Sequence, residues 1–149
     1  MSKVWVNGCF DLIHTGHLYL LSMASSLGDV YIGIDSDKRI KSKKGYVRPI
    51  FSQQERMLLL TLIKGVKNVF VFDTDYELST MVENISPDFM LVGEEYRDKE
   101  VIGSQHARQV IFVPKVGNIS TSQIEARILS QHTDYFKFVN DLVEYGKEK

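Results

Sequence analysis

Cysteine is almost missing from this chain, proline is scarce, and neither sign of charge dominates. The 149 residues hold one cysteine and three prolines, with 18 Lys and Arg against 19 Asp and Glu. A lone Cys9 excludes an internal disulfide, so a reducing cytoplasm is the expected setting. The formal net charge of -1 gives no global attraction to nucleic acid or to an anionic membrane. No apolar run reaches the ~18 residues that crossing a bilayer requires. The opening Met-Ser-Lys passes straight into a strand-like segment, without a signal-peptide pattern. Neither nucleic acid nor membrane is therefore expected as a partner. No internal repeat, low-complexity tract or Pro/Gly-rich linker divides the sequence. A domain of this length buries roughly 70% of its unfolded surface, so its core needs neither a disulfide nor a structural metal.

What is there is an alternation of short apolar runs with amphipathic stretches. Val4-Trp5-Val6 reads as a strand ending at Asn7-Gly8. Apolar residues at 18, 20, 21, 24 and 27 follow at helical spacing and stop at Gly28. Val30 to Ile34, Val69 to Phe72, Phe89 to Val92 and Val110 to Val113 read as four further strands. Ser52 with Glu55 forms a capping-box pattern opening a helix to Ile63, and Leu78 to Ile85 reads as another helix. Ser122 with Glu125 predicts a helix to about Leu129, with Ser122 as its cap. Continuously apolar strands alternating with helices imply a parallel sheet covered on both faces. The expected fold is α/β: a Rossmann-like, doubly wound, five-stranded parallel sheet with flanking helices and a C-terminal helical extension. In such a fold, ligands bind at the carboxyl ends of the strands.

The first strand leads into Asn7-Gly8-Cys9-Phe10-Asp11-Leu12-Ile13-His14-Thr15-Gly16-His17. Histidines three apart share one side of a first helical turn, where free N–H groups and the helix dipole favour anions. Gly8 and Gly16 permit close backbone approach, so a triphosphate can lie against both imidazoles. Taken alone, His14 and His17 fit a zinc site or a surface pair equally well. The other histidines, His106 and His132, do not cluster with them or with cysteine, which argues against zinc. Gly93, closing the fourth strand, lets a flat base lie against backbone, although a plain turn explains it too. The consecutive hydroxyls of Ser120, Thr121 and Ser122 open a helix and suit a pyrophosphate, with Ser120 and Thr121 as the contacts.

Gly8-Cys9-Phe10-Asp11 followed by His14-Thr15-Gly16-His17 resembles the signature of the cytidylyltransferase-like nucleotidyltransferases, and the resemblance extends over about residues 3 to 129. It implies an enzyme that joins a nucleoside monophosphate from an NTP, ATP or CTP, to a small phosphorylated substrate with release of pyrophosphate. It further implies that residues 1–130 form the nucleotidyltransferase domain, with 131–149 its helical extension, and that the protein is a homodimer. His14, His17 and Lys44 become the catalytic set, Lys44 coming from the segment Lys41 to Pro49, read as a mobile basic loop. Gly8, Cys9, Phe10, Gly16, Lys41, Arg56, Gly93, Ser120 and Thr121 are assigned to the nucleotide. Arg48 and Asp11 are assigned to the acceptor, although anchoring a loop is the commoner use of an Asp in a turn. No protein metal site is expected; Mg²⁺ should be held mainly by the NTP phosphates. Cys9 is given no nucleophilic role.

Among acceptors, the joint match of Gly8-Cys9-Phe10-Asp11, of Lys44-Gly45 with Arg48-Pro49, and of Ile102-Gly103-Ser104 resembles the heptose-phosphate adenylyltransferases, and this implies a sugar phosphate, as in ADP-heptose-type synthesis. Glycerol-3-phosphate cytidylylation is weakened by Lys115 and Asn118, where those enzymes carry arginine and glycine. An FAD-synthetase-like reaction and a catalytically silent regulatory protein are the remaining readings. Beyond the resemblance, Tyr135, Phe138, Val139, Leu142 and Tyr145 fall at helical spacing, a stripe suited either to the domain itself or to a subunit interface.

Overall fold

The computed structural model describes residues 1–147, with Val139 and residues 142–147 described by their backbone alone. Five parallel strands form one sheet: β1 (Lys3–Gly8), β2 (Asp29–Asp35), β3 (Val66–Phe72), β4 (Phe89–Gly93) and β5 (Gln109–Val113), in the order β3-β2-β1-β4-β5. Helices α1 (Thr15–Leu27), α2 (Asp37–Lys44), α3 (Gln53–Thr61), α4 (Asp75–Ile85) and α5 (Thr121–Lys147) connect or follow them. The doubly wound parallel sheet expected from the apolar alternation is the observed fold.

The alternation of side chains along a strand distributes the core over two faces. Val4 and Val6 of β1 pack with Leu21, Ala24 and Leu60, on the face covered by α1 and α3. Trp5, between them, packs with Phe72, Leu78 and Val82, on the face covered by α4. Gly33 in β2 makes room for that tryptophan, since a Cβ there would lie 2.7 Å from Trp5 Cζ2. Strand β1 pairs with β2 on one side and β4 on the other. The chain therefore reverses its winding between β1 and β4, and a crevice opens at their carboxyl ends.

Two elements, α2 and α5, differ from expectation. Lys41 to Lys44, the start of the segment read as a mobile basic loop, form the end of α2; Ser36 caps this helix by accepting from Arg39 N at 3.1 Å, and Ile40 buries its inner face. A sequence rich in lysine hides this helix because only one of its side chains is apolar and buried. The last helix does not end near Leu129 but continues as one 27-residue helix to Lys147. Its cap is Ser120, not Ser122: Ser120 Oγ accepts from Gln123 N at 3.2 Å. Along α5, Tyr135 and Phe138 are exposed, as are Ile128, Leu129 and Phe136, so among the described residues this part of the stripe is not packed on its own domain. The Val139, Leu142 and Tyr145 side chains of the expected stripe lie outside the described residues.

Candidate active site

The loop from β1 to α1 is held in a conformation that its own sequence does not favour. Phe10 and Leu12 both adopt φ of 51°, a left-handed geometry that costs a non-glycine residue roughly 1–3 kcal/mol. Three long-range contacts hold it. Arg56 Nη1 donates to Cys9 O at 2.7 Å, Thr121 Oγ1 donates to Asp11 O at 2.5 Å, and the Asp11 carboxylate accepts from Ile50 N and Phe51 N at 2.8 and 2.9 Å. The Phe10 side chain is buried, its ring 5.1 Å from that of His17. It supports the imidazole from below and leaves only its backbone for a ligand.

This bracing delivers two histidines to the first turn of α1. His14 is the N-cap residue: its Nδ1 accepts from Gly16 N at 3.1 Å, while His17 Nδ1 accepts from His14 N at 3.4 Å. The pair thus performs as a capping box the task that Ser and Glu usually perform. The rings stack with centroids 3.8 Å apart. Because both Nδ1 atoms accept, each neutral ring carries its proton on Nε2. Burial, then the neighbouring His14, pushes the His17 pKa down to about 4, against a weaker upward pull from Asp11. Burial and Lys115 lower that of His14. At neutral pH the site therefore presents two uncharged imidazoles as Nε2–H donors. Gly16 leaves these rings room, since a Cβ there would lie 3.0 Å from His14 Cε1 and crowd that imidazole.

The imidazoles line a cavity of about 600 Å³ bounded by the start of α1, the ends of β4 and β5, and the start of α5. Lys44, Gly93, Lys115 and Ser120 also face it. A second cavity of about 460 Å³ lies beyond Lys44, over the ends of β1 and β2. A smaller hollow, bordered by Gly8, Cys9 and Thr121, shares Lys44 and Gly93 with both. Lys44, at the last turn of α2, thus stands where all three meet. Cys9 borders the inner two; burial, then Asp35, raises its thiol pKa, and Sγ donates to Asp35 Oδ2 at 3.7 Å. A thiol kept protonated in this way is a poor nucleophile.

Most of the sequence-assigned residues converge here, but not all in the expected capacity. Arg56 is completely buried, with Nε donating to Phe51 O, Nη1 to Cys9 O and Asp35 O, and Nη2 to Asp37 at 2.8 Å. It cannot reach a nucleotide, because burial has turned its guanidinium into an internal strut. Asp11, only 3% exposed, spends both oxygens on backbone N–H groups, so it anchors the 48–51 segment instead of touching an acceptor. Arg48 joins that anchor: it pairs with Asp11 at 3.5 Å and with Glu125, donates to Ser122 Oγ at 3.3 Å, and borders the first cavity, not the second. Lys41 is exposed and borders none of the three cavities, whereas Lys43 borders the second. Ser120 Oγ and Thr121 Oγ1 are engaged as cap and brace; what α5 offers an anion is its first-turn N–H groups. Sequence reading missed Lys43, Asp35, Asp75 and Glu100. The rule that ligands gather at carboxyl ends of strands points to Asp35, which ends β2, and Lys43 lies in the basic segment from Lys41 to Pro49, but no local pattern marks Asp75 or Glu100. Among the described residues, no three His, Cys, Asp or Glu side chains come together to hold a metal ion, and no helix is long and apolar enough to cross a membrane.

A neutral imidazole pair, a lysine and two helix N-termini around one cavity stabilise added negative charge without a covalent intermediate. Comparison with known proteins gives this arrangement a lineage. A family model described as cytidylyltransferase-like matches residues 5–127. Bifunctional protein HldE of Helicobacter pylori strain P12 is 39% identical over 132 residues, covering 88% of this chain and 28% of its own. Bifunctional protein HldE of a Nitratiruptor species is 42% identical over 130 residues, covering 85% and 28%. The chain thus spans 28% of the length of the curated relatives it matches. The crystal structure of the lipopolysaccharide core biosynthesis protein from Thermoplasma volcanium GSS1 superposes with a TM-score of 0.59 at 21% identity, over 80% of this chain and 99% of that one. This likeness establishes the shared fold.

Proposed function

The chain belongs to the cytidylyltransferase-like family, and from that premise we propose that it transfers an adenylyl group from ATP to a sugar phosphate, releasing pyrophosphate. The HldE relatives favour this heptose-phosphate adenylyltransferase type of reaction over cytidylylation of glycerol 3-phosphate. The observation that carries the reading is the stacked His14/His17 pair, whose Nδ1 atoms are occupied by backbone N–H groups so that Nε2–H is left for phosphate.

In this reading the triphosphate lies in the first cavity, between the starts of α1 and α5. An oxygen of the acceptor phosphate attacks the α-phosphorus; a new P–O bond forms while the bond to the pyrophosphate oxygen breaks, in line on the opposite side. His14, His17 and Lys44 stabilise the charge that gathers on the α-phosphoryl oxygens and the leaving pyrophosphate. A phosphate acceptor is already ionised at neutral pH, so no side chain has to remove a proton. Mg²⁺ carried by the triphosphate would neutralise part of its charge. Such an ion keeps several waters and takes few protein ligands, so the triphosphate oxygens would hold most of it. A cytoplasmic homodimer completes the proposal, supported by the exposed Tyr135, Phe136 and Phe138 on α5.

The direct test is pyrophosphate release with Mg²⁺, pairing ATP or CTP with heptose 1-phosphate, glycerol 3-phosphate and FMN. Release with ATP and the heptose phosphate is expected. Nucleotide binding without release from any pair would favour a regulatory protein and remove the enzymatic reading.

A further inference from the structure

We infer that the second cavity is a polyol-reading subsite, in which the carboxylates of Asp75 and Glu100 accept hydrogen bonds from hydroxyl groups on the acceptor's carbon skeleton. The inference rests on the nucleotidyl-transfer reading and states what its acceptor must look like. Continuity comes first: Lys44 and Gly93 line both this cavity and that of the nucleotide. A molecule filling the second cavity therefore brings one end to Lys44, beside the α-phosphate. Lys43 and Lys44 supply positive charge at that end, and neither is in an ion pair among the described residues.

The rest of the wall presents a different chemistry. Arg39 is not available to a phosphate. Its Nε donates to Asp35 Oδ1 at 2.7 Å, Nη1 to Asp73 O at 3.2 Å and Nη2 to Asp75 Oδ1, and its guanidinium lies over the Phe72 ring, 5.1 Å from the centroid. This network holds one oxygen of Asp75 and leaves the other on a side chain that is 60% exposed. Glu100 makes no hydrogen bond or ion pair among the described residues, although it borders the same space. Asn7 Oδ1 accepts from Trp5 Nε1 at 3.0 Å, so its amide N–H groups remain as donors. An ionised carboxylate only accepts hydrogen bonds. The ligand must therefore bring donors, several of them, spread over a skeleton with apolar C–H faces for Val101 and Ile102 to cover. FMN also carries ribityl hydroxyls beside its phosphate, but its isoalloxazine ring would fill the rest of the cavity with a flat surface bearing a single N–H donor. Glycerol 3-phosphate, with two hydroxyls, would leave most of the cavity to water. A sugar phosphate matches both ends.

The test is steady-state kinetics of the intact chain with ATP, Mg²⁺ and heptose 1-phosphate, comparing wild type with Glu100→Gln and Asp75→Asn. Glu100 is exposed in a loop, so its neutral variant leaves folding aside. The KM for the sugar phosphate should rise about tenfold or more in each variant, the size expected for a lost hydrogen bond to a charged group. The KM for ATP and kcat should stay within about twofold, because neither residue touches the transferring phosphate. With deoxy analogues of the sugar phosphate, one analogue should be used equally well by wild type and variant, marking the hydroxyl that the carboxylate reads. An unchanged acceptor KM in both variants overturns the subsite while nucleotidyl transfer stands. A wild-type preference for FMN or glycerol 3-phosphate also overturns the subsite alone. Absence of pyrophosphate release with every acceptor removes the enzymatic reading itself.

Discussion

Replacing His17 by two different amides separates its two ring nitrogens. His17 Nδ1 accepts from His14 N at 3.4 Å and closes the capping box, while Nε2–H is left for phosphate. In His17→Asn the amide oxygen falls near the position of Nδ1, so the cap survives and the donor is lost. In His17→Gln the longer side chain carries its amide N–H toward the position of Nε2 and abandons the cap. Losing one preorganised donor to a charged transition state costs ~3–4 kcal/mol, a fall of about 100- to 1000-fold in turnover. Losing a capping acceptor costs roughly 1 kcal/mol of stability. His17→Asn should therefore unfold in urea within about 1 kcal/mol of wild type yet lose at least about a hundredfold in kcat. His17→Gln should retain more turnover than His17→Asn while being the less stable of the two. Pyrophosphate release at saturating ATP and acceptor, read beside urea melts, gives both quantities. Near-normal turnover in His17→Asn would refute the assignment of Nε2 to catalysis, and a reversed ranking of the two variants would refute the division of labour.

Two further outcomes follow from the same turn. The native His17 pKa of about 4 lies below the 6.5 of a free imidazole, so below pH 6.5 the unfolded chain takes up a proton that the native chain refuses. Stability is full above pH 6.5 and falls by up to about 3 kcal/mol as the pH drops toward 4; urea melts at about pH 7.5 and about pH 4.5 should show this loss in wild type and a smaller one in His17→Asn. Gly16→Ala should act in opposite directions on fold and function. Alanine favours a helix by about 1 kcal/mol over glycine, but its Cβ at 3.0 Å from His14 Cε1 pushes that imidazole aside. Turnover should drop about tenfold or more with no loss of melting temperature, and unchanged kcat would show that the position of His14 is not demanding.

The fold was largely legible because its signals are periodic and local. Val4-Trp5-Val6 and Val30 to Ile34 announce buried strands, and Ser52 with Glu55 announces a helix start by the same hydrogen bonds that the structure displays. The histidine turn was legible as well, since Gly8, Gly16 and the two imidazoles lie within ten residues of one another. What escaped depends on contacts between distant segments. Arg56 looks like any arginine on an amphipathic helix, and only the carbonyls of Cys9 and Asp35 closing around it make it an internal strut. The second cavity draws residues from α2, from the start of α4 and from the segment after β4, and no spacing rule links those three. Helix α2 carries so little apolar surface that periodicity has almost nothing to report.

The bond from Thr121 Oγ1 to Asp11 O spans 110 positions of sequence, and that span orders events in time. During synthesis the strands and helices up to β5 can assemble before Thr121 has left the ribosome. The strained turn at Phe10 and Leu12, however, lacks its final clasp until then. A nascent chain would hold a formed sheet with the β1–α1 turn still unclasped, and that turn would be fixed only when the start of α5 closes over it.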